Sequence, residues 1–123
     1  MINVSDNIFI LNTKDTTYVF GILPTGQPEH LYYGRKITVA DASGLREKHV
    51  FQPGNSVVYD SEHDNYTLED VCLEMSSYGK GDIREPFVKL VYKDGSFSSD
   101  FIYDSYEITG GKPALESLPS SYD

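Results

Sequence analysis

Asp and Glu are the most numerous residues of this sequence that could take part in catalysis. The 123 residues include 19 Asp and Glu against 10 Lys and Arg, which gives a formal net charge of −9. Two carboxyl groups cleave a glycosidic bond when they lie about 5 Å apart in retaining enzymes or roughly 6.5–9.5 Å apart in inverting enzymes. So many acids form many possible pairs, and the sequence selects none of them. Most are interpreted as solvated turn residues, notably Asp15, Asp41, Asp64, Asp94 and Asp104.

Histidines are the next candidates, because they serve as metal ligands and as acid–base groups. His30 and His49 are isolated, whereas His63 lies in the segment DSEHD at residues 60–64, which offers oxygen and nitrogen ligands. The spacings typical of zinc and calcium sites, such as HExxH, CxxC and the EF-hand loop, do not occur in the sequence. Neither do phosphate-binding or dinucleotide fingerprints or the GxSxG nucleophile motif. We therefore expect neither a metal nor a cofactor.

Cys72 is the only cysteine, so an internal disulfide is impossible and a reducing compartment is suitable. It lies between Val71 and Leu73 in an apolar stretch, which favours a buried small hydrophobe over a nucleophile. Neither a signal-peptide pattern nor an apolar run of membrane-spanning length is present. The acidic balance argues against nucleic acids and anionic membranes as partners, because Lys and Arg supply most of the affinity for phosphates. We expect a soluble, cytoplasmic protein.

The segment SSYGKGDIREP at residues 76–86 concentrates glycine, charge and proline between two stretches that resemble strands. In an extended chain Asp82 and Arg84 point to one face and Ile83 to the other, so the two charged side chains can pair. Pro86 keeps the residue before it extended. Residue chemistry therefore favours a structural clamp here, with a ligand-binding loop as the alternative.

Short strands connected by turns are predicted along the whole chain. Segments with strand-like composition or alternation are residues 7–12, 16–23, 30–33, 87–92 and 97–106. The third is predicted to end at Gly34, and residues 87–92 are the clearest strand. Asp94-Gly95 predicts a tight hairpin turn between the last two segments. Because no segment shows a sustained helical period, we predict an all-β fold, an antiparallel sandwich or barrel.

Several short motifs follow one another in a characteristic order. They are TYVF (residues 17–20), HLYYG (30–34), LEMSSYGKGDIREP (73–86), DGS (94–96), DFIY (100–103), GKP (111–113) and LP (118–119). In this order and spacing they resemble the N-terminal domain of glycoside hydrolase family 36, the bacterial α-galactosidases. The Gly-Asp-x-Arg-x-Pro core of the third motif is the most diagnostic. The resemblance implies a structural landmark rather than a catalytic loop, formed by Gly79, Gly81, Asp82, Arg84 and Pro86.

The resemblance implies a larger parent protein. Residues 1–123 would be a single N-terminal domain fragment with an antiparallel β-sandwich fold, part of a larger supersandwich, and would lack the catalytic (β/α)₈ barrel. Two Asp residues of that barrel act in the family as nucleophile and general acid, so this chain is expected to hold no catalytic residue and to be inactive alone. The parent is expected to be a retaining α-galactosidase that releases terminal α-D-galactosyl residues from oligosaccharides such as raffinose and melibiose, without a cofactor.

The resemblance also implies partners and a binding residue. The domain would act as scaffold, homo-oligomer contact and rim of the sugar pocket, alongside the remainder of the polypeptide and a galactose-containing oligosaccharide. Family members place an Asp and an Arg from a loop before the third motif near the substrate. Here that loop is residues 51–65, which contain Asp60 and Asp64 but no Arg. Asp60 is the candidate acceptor for a galactose hydroxyl, and the neighbouring Tyr59 could stack on a sugar or belong to the core.

Two other functions remain open from the sequence. One is a stand-alone carbohydrate-binding module, for which the ten tyrosines could furnish stacking platforms. The other is a protein-interaction β-sandwich that only assembles complexes. A fragment of a larger enzyme differs from both, because it predicts an exposed apolar patch or an open sheet edge where the rest of the sandwich packs.

Overall fold

A four-stranded antiparallel sheet forms from the first part of the chain. The computed structural model describes residues 1–38, 42–50, 57–111 and 119. The strands are β1 (Ile2–Ser5), β2 (Ile8–Asn12), β3 (Thr16–Ile22) and β4 (Pro28–Arg35), paired in that order. Two single 3₁₀ turns follow at Ser43–Leu45 and Leu68–Asp70. The predicted all-β antiparallel fold is confirmed, and no helix in the described ranges has the length and hydropathy of a membrane span.

Short polar turns set the register of this sheet. Asp6 and Asn7 alone connect β1 to β2, and their φ angles of 50° and 59° are those that a two-residue hairpin turn requires. Asp and Asn tolerate this left-handed conformation because their short polar side chains bond locally. In the next turn, the Thr13 hydroxyl oxygen accepts a hydrogen bond of 3.0 Å from the Thr16 N–H. The turns thereby fix which residues of neighbouring strands lie opposite each other.

One face of the sheet carries the hydrophobic core. Ile8 and Val19 project from neighbouring strands and pack with Ala42, which lies in the segment after β4. Val19 is completely buried, and burial of a valine side chain stabilises a fold by about 2 kcal/mol. The partly buried side chains around this cluster are Ile10, Leu31 and Tyr32. This face therefore binds the segment after β4 to the sheet.

Aromatic rings occupy the opposite face. The rings of Phe9 and Phe20 stack with their centroids 4.6 Å apart, and the Tyr106 ring meets Phe9 edge-on at 5.1 Å. The Tyr18 ring lies 5.5 Å from the ring of His30. The chain therefore folds back far enough for residues near its end to cover part of this face.

The predicted strands of the first half agree with the structure. The segments predicted at residues 7–12 and 16–23 correspond to β2 and β3 within one residue at each end. The segment predicted at residues 30–33 is longer than expected, because Gly34 pairs with Thr17 and does not end β4. The pattern does not predict β1, whose four residues show little alternation.

A short extended segment covers the outer edge of β4. The His30 N–H donates to the Cys72 carbonyl at 2.7 Å, and the Glu74 N–H donates to the Pro28 carbonyl at 3.0 Å. The thiol of Cys72 is exposed, so the prediction of a buried cysteine is wrong. The reason lies in the extended backbone, which turns Val71 into the interior and the next side chain toward solvent.

The strand predicted at residues 87–92 is wrong for the described structure. The turn after it forms as expected, since the Tyr92 N–H donates to the Ser96 carbonyl at 2.8 Å and the Gly95 N–H donates to the Tyr92 carbonyl at 3.0 Å. The two arms, however, form no strand. A strand needs a continuous partner, and the described chain provides these arms with isolated backbone bonds only. We call residues 87–108 the hairpin segment.

Candidate functional site

Asp60 lies in a loop closed by a backbone hydrogen bond of 2.8 Å from the Tyr59 N–H to the Tyr66 carbonyl. Its Oδ1 atom accepts hydrogen bonds from the backbone N–H groups of Glu62 and His63 and lies 2.9 Å from His63 Nδ1. Desolvation would raise the pKa of Asp60, but the bonds from His63 and Glu62 outweigh it and hold that pKa below its ordinary value. The Asp60 side chain is 44% exposed, so its ionised carboxylate faces solvent.

Tyr59 is anchored to Asp100 rather than free beside Asp60. Its hydroxyl donates to Asp100 Oδ2 at 2.7 Å, and Gln27 Nε2 donates to Asp100 Oδ1 at 2.8 Å. Lys80 Nζ lies 5.3 Å from the centre of the Tyr59 ring and 3.8 Å from Asp100 Oδ2. Burial and the bond to Asp100 raise the pKa of Tyr59. The ammonium group engages one face of the ring, which favours a structural anchor over a sugar platform.

The sequence assigned no role to Gln27, and it indicated Asp100 only as the first residue of the DFIY motif. In the sequence, Asp100 is one polar residue of the predicted second hairpin arm. Its partner Tyr59 lies 41 residues away along the chain. Gln27 lies in a turn rich in Gly and Pro, yet it is only 1% exposed. No local pattern connects residues so far apart, so only the tertiary structure shows that they form one network.

Asp82 and Arg84 form a clamp. Arg84 Nε donates to Asp82 Oδ1 at 2.8 Å, and Arg84 Nη2 donates both to Asp82 Oδ2 at 3.0 Å and to the Leu68 carbonyl at 2.7 Å. Burial would raise the pKa of Asp82, but the bonds from Arg84 outweigh it and lower that pKa. The Asp82 side chain is fully buried, whereas Ile83 between the pair is 85% exposed. The clamp thus ties this motif to the 3₁₀ turn at Leu68–Asp70.

Gly79 and Gly81 allow close approach between the loops around the clamp. Their φ angles are 91° and 86°, a region that residues with a Cβ rarely adopt. A Cβ on Gly79 would collide with Ser98 Oγ, and one on Gly81 would lie 2.6 Å from Val57 Cγ1. Pro86, which ends the motif, is half-buried. The motif therefore packs against residues on both sides of it in the sequence.

A second ion pair with a buried carboxylate, which the sequence did not indicate, lies on the core face of the sheet. Glu29 in β4 is 5% exposed, and its Oε2 lies 3.5 Å from Arg46 Nε. Desolvation raises the pKa of Glu29, although the charge of Arg46 opposes the shift. Arg46 Nη2 also donates to the Ile22 carbonyl at 2.7 Å. This pair fastens the segment after β4 to the sheet, with the Glu29 carboxylate buried and the Arg46 side chain 26% exposed.

The available chemistry differs between the two best-defined carboxylates. An exposed, ionised carboxylate such as that of Asp60 can accept hydrogen bonds from hydroxyl groups of a ligand, and its backbone partners hold it in place. Both oxygens of Asp82 are already bonded to Arg84. Asp60 directly follows Tyr59, whose hydroxyl donates to Asp100, so its loop lies beside the Asp100 network. The arrangement around Asp60 is suited to binding rather than to bond cleavage.

Comparisons with known proteins agree on one family. The model for the glycosyl hydrolase family 36 N-terminal domain matches residues 26–123. The bifunctional α-galactosidase/sucrose kinase AgaSK of Mediterraneibacter gnavus is 33% identical over 118 residues, which is 96% of this chain and 12% of that protein. The α-galactosidase AgaA of Geobacillus stearothermophilus is 29% identical over 114 residues, which is 93% of this chain and 15% of that protein.

Solved structures are similar in fold as well. The galactosidase domain of AgaSK has a TM-score of 0.81 at 31% identity, over 98% of this chain and 17% of that chain. A substituted form of AgaA in complex with raffinose has a TM-score of 0.79 at 28% identity, over 94% and 16% of the two chains. This chain therefore spans between 12% and 17% of the length of these relatives. The resemblance seen in the sequence motifs is confirmed, and the chain belongs to the glycosyl hydrolase family 36 N-terminal domain family.

Proposed function

We propose that this chain is the non-catalytic N-terminal part of an α-galactosidase that removes terminal α-D-galactosyl residues from oligosaccharides such as raffinose and melibiose. The observation that carries the proposal is the coverage of the matches. Nearly all of this chain matches two proteins named α-galactosidases, while both extend far beyond the match. A structure of AgaA with raffinose supports a substrate of this class.

In this proposal another part of the polypeptide performs the hydrolysis. A (β/α)₈ barrel supplies two Asp carboxylates, one as nucleophile and one as general acid of a retaining mechanism, and no cofactor takes part. Residues 1–123 form one β-sandwich domain fragment that serves as scaffold, homo-oligomer contact and rim of the sugar pocket. We propose a cytoplasmic location for the protein, and the exposed thiol of Cys72 suits the reducing conditions there.

The clamp motif is assigned a structural role in this proposal. The Asp82 carboxylate is fully buried and bonded to Arg84 through both oxygens, so it has no oxygen to offer a substrate. Asp60 is assigned the role at the pocket rim, as acceptor for a galactose hydroxyl, because its carboxylate is exposed and oriented by backbone N–H groups. Tyr59, fixed by Asp100, holds the start of this loop.

Activity of the whole gene product tests the proposal. The complete open reading frame that encodes these residues is expressed, with the 123-residue chain prepared alongside. Both products are assayed on 4-nitrophenyl α-galactoside and raffinose. We expect the longer product to release galactose and the short chain to be inactive. A frame that stops at Asp123 without hydrolysis contradicts the proposal, and galactose binding by that product would instead support a stand-alone binding module.

Substitution of Asp60 tests its place at the rim. Asp60→Ala in the active product removes one acceptor, so we expect the KM for raffinose to rise roughly five- to tenfold while kcat changes little. Asp94→Ala is the matched control, because Asp94 is also an exposed carboxylate that accepts the N–H of a residue two positions later. Equal KM values for the two variants and the wild type would remove Asp60 from the site.

A further inference from the structure

The clamp motif contacts the chain on both sides of the Asp60 loop, by which we mean residues 59–66. Arg84 Nη2 donates to the carbonyl of Leu68, two residues after the loop, at 2.7 Å. Just before the loop, the backbone at Gly81 lies so close to Val57 that an added Cβ would be 2.6 Å from Val57 Cγ1. The Asp60 loop is therefore held between two points of one short motif.

Lys80 brings the same motif to the first residue of the loop. Its Nζ atom lies 5.3 Å from the centre of the Tyr59 ring and 3.8 Å from Asp100 Oδ2. Asp100 Oδ2 also accepts the hydrogen bond from the Tyr59 hydroxyl, at 2.7 Å. One ammonium group thus acts on Tyr59 twice, directly through the face of its ring and indirectly through the carboxylate that binds its hydroxyl.

The other oxygen of Asp100 connects this contact to the sheet. Asp100 Oδ1 accepts a hydrogen bond of 2.8 Å from Gln27 Nε2, and Gln27 is only 1% exposed. The Gln27 carbonyl in turn accepts the N–H of Leu23 at 2.9 Å, in the turn between β3 and β4. Buried groups beside the sheet therefore fix Tyr59 from one side, and Lys80, whose side chain is 42% exposed, contacts it from the surface.

We propose that Lys80 is a positioning residue for the sugar pocket, which fixes Tyr59 and thereby holds the adjacent Asp60 in the orientation that accepts a galactose hydroxyl. The inference rests on the proposed function, in which Asp60 lies at the rim of the pocket. Lys80 itself makes no contact with the sugar in this proposal. The clamp motif thereby gains a role in substrate binding in addition to its structural one.

The orientation of Asp60 depends on how the ends of its loop are held. Its Oδ1 atom accepts two backbone N–H groups within the loop, and these bonds move with the loop. The Tyr59–Asp100 bond, by contrast, joins the loop to the hairpin segment. A loop that is not fixed beforehand must be ordered when the ligand binds, which lowers affinity. Loss of the Lys80 ammonium group is thus expected to raise KM and to leave kcat nearly unchanged.

Kinetics of lysine variants in the complete product of the reading frame test this role. Lys80→Met removes the ammonium group and keeps the length of the side chain, and we expect it to raise the KM for raffinose about two- to threefold. Lys80→Arg keeps a cation that stacks on an aromatic ring and should restore most of the wild-type KM. Lys93→Met is the matched control, because Lys93 is also an exposed lysine outside the strands and should leave KM unchanged.

A double substitution separates positioning from general stability. If Lys80 acts through Asp60, Lys80→Met has no further effect on the KM of the Asp60→Ala variant. A lysine that only stabilises the fold would instead lower the amount of active protein, and its effect would add to that of Asp60→Ala. Equal KM values for Lys80→Met, Lys93→Met and the wild type overturn the positioning role, as does full additivity in the double variant.

Hydrogen exchange decides the same question without an activity assay. Exchange at the amides of the Asp60 loop is followed by mass spectrometry in the complete wild-type product, Lys80→Met and Lys93→Met. We expect roughly threefold faster exchange in Lys80→Met alone, and unchanged exchange overturns the positioning of the loop. A complete product that does not hydrolyse α-galactosides rejects the proposed function, and faster exchange in Lys80→Met then still supports Lys80 as the residue that positions the loop.

Discussion

Residues 1–35 and residues 57–111 are held together in different ways. In the first region each strand pairs with the next along the chain, and β3 has partners on both sides. The second region has no strand in its described residues and combines isolated backbone hydrogen bonds with side-chain contacts, above all the Asp82–Arg84 clamp and the Tyr59–Asp100 hydrogen bond. Large apolar side chains are exposed in the second region and are buried or half-buried in β2 and β3.

The difference separates a region whose strands pair with one another from a region that forms no strand in its described residues. In the sheet, each strand finds its hydrogen-bonding partner within the same region, because strands that follow one another in the sequence pair across short turns. The second region buries Leu68 and Val71 and makes isolated backbone bonds, but most large apolar side chains of its hairpin segment are exposed in the part of the chain that the structure describes. In our account a covering layer comes from the rest of an α-galactosidase polypeptide.

The largest effect is expected when the clamp of the second region is broken. Arg84→Ala leaves the Asp82 carboxylate buried without its cation, so we expect the free energy of unfolding to fall by about 3 kcal/mol. Urea unfolding of the 123-residue chain, followed by circular dichroism, measures the change. Arg35→Ala is the control, because Arg35 is an exposed arginine at the end of β4. Equal losses in both variants would show that the clamp adds nothing beyond an exposed arginine.

Protonation of Asp82 at low pH is expected to weaken the same clamp. Because the pKa of Asp82 is lowered in the folded chain, the clamp contributes stability above the unfolded pKa of about 3.9 and loses it as the pH falls through the folded value. Between about pH 6 and about pH 3, we expect the urea midpoint of the wild type to fall more steeply than that of Asp82→Asn. Parallel pH profiles for the two proteins would argue against a charged clamp.

Two valines compare the regions directly. Val19 is completely buried in the sheet, whereas Val91 in the hairpin segment is 67% exposed. In the 123-residue chain we expect Val19→Ala to cost about 2 kcal/mol of unfolding free energy and Val91→Ala to cost less than about 0.5 kcal/mol. Urea unfolding of the two variants gives both values. A cost at Val91 as large as that at Val19 would mean that the hairpin segment is already covered in the short chain.

A smaller loss than that at Val19 is expected at the anchor of the Asp60 loop. Tyr59→Phe removes the hydroxyl that donates to Asp100, while Gln27 still donates to the same carboxylate. We expect a loss of about 1 kcal/mol in unfolding free energy, the usual contribution of one such bond. Tyr33→Phe serves as control because Tyr33 is 69% exposed. If both phenylalanine variants match the wild type, the Tyr59–Asp100 bond does not stabilise the loop.

The sheet could be predicted from the sequence because the residues that define each strand and its partner lie close together along the chain. Alternation marks β2 and β3, polar turns separate them, and each strand meets its neighbour within a few residues. The turn at Asp94-Gly95 was predicted for the same reason, although the arms beside it have no partner strand in the described chain. A pattern can show that residues suit a strand, but it cannot show where the partner strand lies.

The site could be predicted only in part. The alternation of Asp82 and Arg84 indicates a pair, because both residues lie within one short motif. The Tyr59–Asp100 and Glu29–Arg46 contacts join residues far apart in the sequence, so no spacing indicates them. The resemblance of the motifs indicated the family without any of these contacts. The exposure of Cys72 depended on which way one extended residue turned, which composition does not determine.

Amide hydrogen exchange tests the central claim, that the second region is completed by more polypeptide. Exchange at residues 88–91 is compared with exchange at Tyr18 and Val19 of β3, in the 123-residue chain and in the product of the whole reading frame. We predict protected β3 amides in both proteins and protected hairpin amides in the longer product alone. Hairpin amides that exchange freely in both proteins would contradict the account, because no strand would then cover them.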